Sequence, residues 1–272
     1  MKSEIHELTA DFKAAVRIGH PESLQVALDG YRMLPEVTGN AALTQAFIRQ
    51  AILLLGEVLA YPHLDLAQVE TLLEDPLTGV RALGAVASGV RFLAGHGVDA
   101  DDLRRPGRDQ RPEVRAALGE ALAKHAHENP ALLLALVNDW LGGDVGAAPS
   151  TRLRLSALIA MRGLISDYGD ELIPYLTDSP AESDRETRSA HIEALISGAE
   201  SGRETAVYEL LRTWAAEQEP DTWMIAKTLS SAWAARNPAE SEVILQVLET
   251  KVGEDRSIER AKRALTRHGK SG

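Results

Sequence analysis

The stretch "RPEVRAALGEALAKHA", residues 111 to 126, returns in altered form along the chain, and this recurrence narrows the choice of folds more than any other feature. Related lines open on a hydrophobic-basic pair and continue as an Ala/Leu-rich run: "DPLTGVRALGAVASGVRFL", "STRLRLSALIAMRGLI", "DRETRSAHIEALISGA", "DTWMIAKTLSSAWAARNP" and "EDRSIERAKRALTRHG". Aligned on Arg81, Arg115, Arg154, Arg188, Lys227 and Arg260, they fall about 34, 39, 34, 39 and 33 residues apart, the length of two helices with their turns. Between successive members lies a second apolar run: "NPALLLALVNDWL", "GDELIPYL", "TAVYELLRTWAAE" and "SEVILQVLETKV". Each repeat therefore reads as a helix pair. Upstream, "ALTQAFIRQAILLLGEVLA" and "LAQVETLLED" continue the alternation, and "PESLQVALDGYRML" with the opening helix completes it.

Composition agrees with helices. Aromatic residues make up 4% of the chain while Ala and Leu recur throughout, which favours helices packed through short side chains over sheets. With 44% hydrophobic and 25% charged residues in 272, the chain has enough apolar material for a large core. It has no cysteine, which excludes disulfides and thiolate chemistry. The start "MKSEIHELTADFKAAV" is charged, and no stretch approaches the roughly 18 uncharged apolar residues of a membrane span. A cytoplasmic protein without membrane attachment is expected. The net charge of −11 opposes duplex nucleic acid as a partner unless cations concentrate on one face.

A finer spacing fixes the register. Asp75, Asp109 and Asp221 precede Arg81, Arg115 and Lys227 by the same interval, with the acid in the turn and the base one turn into the following helix. Asp near a helix start caps exposed N–H groups, and a cation of an adjacent repeat can pair with it. This pattern resembles the HEAT repeat, from about residue 40 onward. The resemblance implies an Asp–Arg ladder from one repeat to the next. It also implies an all-α fold, a right-handed α-solenoid of about seven hairpins. One repeat domain over 1–272 is expected, with 1–40 as N-terminal capping helices and 254–272 as a C-terminal capping helix. The pattern departs around "DVGAAPSTR" and "LTDSPAESDRETR", where longer turns would decorate one edge of such a stack. Within residues 111 to 126, Pro112 suits the first helical turn, and Val114, Leu118 and Leu122 form one buried stripe.

Residues able to carry chemistry are few. His6-Glu7 and His127-Glu128 resemble the paired His-Glu motifs of iron-binding HEAT-like hydroxylases, but they occupy non-equivalent repeat positions where such a site needs four equivalent pairs, so no metal is expected. No His-Glu-x-x-His stretch, Gly-rich phosphate loop or nucleophile elbow occurs, and no cofactor is expected. The segment "ALAKHAHENPALLLALVNDWLGGD" followed by "TRLRLSALIAMRGLI" resembles the repeats of HEAT-like DNA alkylation-repair glycosylases. That resemblance implies Trp140 and Asp144 as a catalytic pair and Trp214 as a second aromatic wall. A cationic damaged base would be held against indole faces, while a carboxylate stabilised positive charge developing on the sugar. The pair would belong one repeat earlier, where "VRFLAGHGVDADDLRRPGR" has no Trp. Two basic clusters stand out: Arg104, Arg105, Arg108 and Arg111 in "LRRPGRDQR", a candidate partner-binding patch, and the strongly basic last helix "RSIERAKRALTRHGK". The expected function is a non-catalytic binding or scaffold module that grips a protein partner on its concave face. The other reading is a nucleic-acid-binding or glycosylase-like protein of the same architecture.

Overall fold

In the computed structural model, residues 2–39, 43–142, 151–177 and 184–269 are described. All regular structure among them is helical, without strands. The helices gather into two compact units, 1–163 and 164–272.

The first unit contains α1 (Lys2–Ile18), α2 (Pro21–Arg32), α3 (Pro35–Thr38), α4 (Gln45–Phe47), α5 (Leu53–Leu59) and α6 (Leu66–Leu72). It continues with α7 (Thr78–Leu93), α8 (Ala100–Gly107), α9 (Pro112–Lys124), α10 (Pro130–Gly142) and α11 (Thr151–Met161). A π-helical segment, Ile48–Ile52, joins α4 to α5. Gly19, at φ +68°, closes α1 with a bond from its N–H to the Ala15 carbonyl (3.0 Å), a left-handed cap that a side chain would strain. Asp65 and Asp99 start α6 and α8 with capping boxes. As the sequence predicts, α9 begins at Pro112 and buries Val114, Leu118 and Leu122 completely.

Helices α1, α5, α7, α9 and α11 form a row in which each packs on the next. Small residues set how close they come. A Cβ on Gly56 of α5 would lie 2.5 Å from the Val86 side chain of α7. One on Gly119 of α9 would lie 2.7 Å from Ile159 Cβ and 2.8 Å from the Ser156 carbonyl oxygen of α11. In consequence α7 buries 13 of its 16 residues, Arg91 included, whose Nη1 donates to the Leu64 carbonyl (2.9 Å).

The aspartates act as caps and as rungs. Asp75 Oδ1 accepts from the Leu77 N–H (2.8 Å) and its Oδ2 from Arg32 Nη2 (2.7 Å). Asp109 repeats this, accepting from the Arg111 N–H (2.9 Å) and from Arg81 Nε (2.8 Å). Each acid thus holds its own turn while an arginine from an earlier hairpin holds the acid. Arg115, next in the aligned column, instead clamps the turn, donating to the Asp109 carbonyl (2.8 Å) while almost wholly buried.

The second unit contains α12 (Ile165–Leu172), α13 (Arg185–Gly198), α14 (Glu204–Ala216), α15 (Thr222–Leu229), α16 (Pro238–Val252) and α17 (Arg256–Gly269). It is two-layered: α13, α15 and α17 follow one another in one layer, and α14 packs on α16 in the other. Asp221 caps α15 through the Met224 N–H (3.1 Å) and pairs with Arg188 at 2.6 Å, the same rung as in the first unit. Lys227 of the same column is exposed and makes no ion pair among the described residues. The core holds Trp214, whose indole N–H donates to the Thr177 carbonyl (2.9 Å), and Trp233, edge-on to Tyr208 at 4.8 Å.

Candidate functional site

A carboxylate of α9 organises a cluster of polar side chains in the first unit. Glu120 is 7% exposed, and one of its oxygens accepts from Gln45 Nε2 (2.6 Å), Arg49 Nη2 (2.8 Å) and Arg162 Nη2 (2.7 Å). Gln45 and Arg49 belong to the α4–α5 segment, so they reach α9 across α7. A second bridge repeats the crossing. Glu57 of α5 accepts from Lys124 and lies 3.2 Å from His125 Nε2, while His125 Nδ1 lies 2.6 Å from Glu128. Gln45 and Arg49 reaching Glu120, and Lys124 and His125 reaching Glu57, close over one side of α7, a helix with no exposed residue.

The electrostatics follow from these contacts. Burial alone would raise the Glu57 carboxyl, but hydrogen bonds from His125 and Lys124 outweigh it and hold the group below its ordinary value. The same bond to Glu57, with that to Glu128, raises His125 above its usual imidazole range against the opposing effect of burial. Beyond Glu57 the surface opens into an apolar groove of about 360 Å³ between α1 and α5, floored by Val16, Leu54 and Val58 and edged by Tyr61. Lys13 and Arg17 of α1 stand on its rim, exposed and without ion pairs among the described residues. Among the described residues, the cations of Lys13, Arg17, Arg49, Lys124 and Arg162 stand here with the carboxylates of Glu57, Glu120 and Glu128, in a chain whose net charge is −11.

The residues singled out from sequence fall elsewhere. Arg104 pairs with Asp139 (2.7 Å) and Asp101 (3.2 Å), and Arg105 with Glu74 (2.8 Å). Arg111 donates to the Pro76 carbonyl (2.9 Å), and Arg108 is exposed. Most of that patch is therefore turned to holding its own unit together. Trp140 in the first unit and Trp214 in the second are 1% and 2% exposed, so neither offers an indole face to a base; Asp144 lies outside the described residues. His6 and Glu7 are exposed on α1, whereas His127 stacks on His125 at 6.4 Å beside the Glu57 bridge. Among the described residues no three His, Asp or Glu side chains are placed to hold a metal ion. No described helix is long and apolar enough to cross a membrane. The repeat pattern does not single out Glu120. Its one signal is a carboxylate inside the otherwise apolar run "VRAALGEAL". No protein-family profile matches the chain, and neither does any curated protein or solved structure.

Proposed function

We propose that the chain is a non-catalytic binding module: a single right-handed stack of about seven HEAT-like hairpins that engages a protein partner in the cytoplasm through its concave side. The observation that carries this reading is the surface over α7 on which Glu120 and Glu57 are bridged, where an apolar groove lies beside a fixed array of charges. Apolar floor with a charged rim is the anatomy of a protein-binding surface, anchors at the centre and polar contacts around them. The Asp–Arg rungs within each unit agree with stacked HEAT-like hairpins. Affinity purification from the native cell, with and without nuclease, tests the reading. A protein partner retained after nuclease, and lost on Lys13→Glu with Arg17→Glu, supports it. Excision of a methylated base by the purified protein at an enzymatic rate would overturn it.

The cation excess on that same surface favours one second reading, binding of a nucleic-acid backbone. It predicts binding to a DNA duplex that weakens steeply between about 50 and 200 mM salt and falls on removal of Lys13, Arg17 and Arg49. Absence of binding at low salt, or no response to salt, refutes it.

A further inference from the structure

Helix α17 buries Ile258, Ala261 and Leu265 on one side and turns Arg256, Arg260 and Arg263 to the opposite side, all exposed, with Arg267 next on the same line. Spacings of four, three and four residues keep these arginines within a narrow arc about 16 Å long. The first three make no ion pair among the described residues. Glu259 stands on the adjoining face, yet Arg263 Nε donates to its carbonyl (3.2 Å) rather than to its carboxylate. Such a stripe works against the helix that carries it. Like charges four apart repel, and Arg256 sits in the first turn, where the helix end is already positive. Apart from that bond within the helix, Arg256, Arg260 and Arg263 find no anion among the described residues, so an anionic surface outside the chain would offset their repulsion.

The chain itself carries a surface of matching form. Between α1 and α2 runs an open groove of about 350 Å³, lined by Ala14, Ile18 and Val26 with Asp11 on its rim. Glu7 lies one turn before Asp11 on the same line of α1. Both acids are exposed and without ion pairs among the described residues. Ile18 and Val26 are 66% and 72% exposed, high values for large aliphatic side chains. From Glu7 to Ile18 the line covers about 16 Å, the length of the arginine stripe. Arginine suits such a groove because its methylene stem covers apolar surface while the guanidinium reaches a carboxylate at the edge.

We propose that α17 of one molecule docks its arginine stripe along the α1–α2 groove of a second copy. Two different surfaces meet in this contact, so it does not close on itself by symmetry and adds copies head to tail. The proposal is independent of the partner reading above, which concerns the α1–α5 side of α1.

Sedimentation equilibrium of the whole chain over a broad concentration range tests it. At about 50 mM NaCl the weight-average mass is expected to rise at least twofold with concentration, and to return to the single-chain value at about 0.5 M NaCl. Two charge reversals, R256E/R260E/R263E and E7R/D11R, alter only exposed positions, and each alone is expected to stay at the single-chain mass. An equimolar mixture of the two regains association because each presents the sign the other needs. A wild-type mass that never rises overturns the proposal, as does association that survives either reversal or a mixture that does not reassociate. Binding of a labelled DNA duplex through α17 without self-association would also overturn it, in favour of nucleic acid.

Discussion

Replacing Glu120 by Gln keeps the shape of the side chain and removes only its charge. Three donors then lose their anion, but they do not count equally. The side chains of Arg162 and Glu120 are 16% and 8% exposed, so this pair is largely shielded from water, whereas that of Arg49 is 42% exposed and its share is mostly screened. A hydrogen bond to a charged partner contributes about 1.5–3 kcal/mol and a neutral one about half of that. Discounting Arg49, the expected loss is about 3 kcal/mol, or a melting temperature lower by about 6–12 °C for a unit of this size. Urea unfolding followed by far-UV circular dichroism, with the slope checked for change, gives the free energy. The comparison is Glu249→Gln, which disturbs the solvent-screened Lys262–Glu249 pair (2.7 Å) and should leave the urea midpoint close to that of the unaltered chain. A double-mutant cycle of Glu120→Gln with Arg162→Met should show coupling of about 1–3 kcal/mol. Equal losses for Glu120→Gln and Glu249→Gln, with no coupling to Arg162, would refute the view that Glu120 ties α4 and the π-helical segment to α9 and to the turn after α11.

Other outcomes follow from the same structure. His125 has a raised folded-state pKa, so its stabilisation is complete below the ordinary imidazole value and is lost as pH rises through the folded one; His125→Gln should flatten the urea midpoint over that window. Glu57 is lowered, so its contribution is present above the ordinary carboxyl value and is lost on acidification through the folded one, a slope that Glu57→Gln should remove. Gly119→Ala forces a methyl group against Ile159 and the Ser156 carbonyl and should destabilise by about 1–3 kcal/mol despite the better helix propensity of Ala, measured by denaturation. Trp140→Ala should cost about 3–5 kcal/mol, as expected of a packed core side chain, with a lower melting temperature as the readout.

What the sequence made legible was local. Pro112 at the start of α9, the stripe Val114–Leu118–Leu122, and Asp75, Asp109 and Asp221 at their turns depend on spacings of a few residues, and helix geometry turns such spacings directly into positions. The neutralisation of Arg104 and Arg105 was not legible, because Asp139 and Glu74 stand 35 and 31 residues away and become neighbours only when hairpins stack. Glu120 is the stronger case: Gln45 and Arg49 come from 75 and 71 residues earlier, across an intervening helix. The resemblance to the alkylation-repair glycosylases put Trp140 and Asp144 forward as a pair, but a shared spacing says nothing of which way an indole faces, and Trp140 faces inward. The division after Gly163 is marked by no change of composition.

The burial of α7 beneath the reach of its neighbours has a mechanical consequence. Lifting these side chains off α7 would pull Arg49 from Glu120 and Lys124 from Glu57 together, and would expose a rod made largely of Gly, Ala and Val to water. That part of the molecule should behave as a latched clasp, its amide protons in α7 among the slowest to exchange with deuterium.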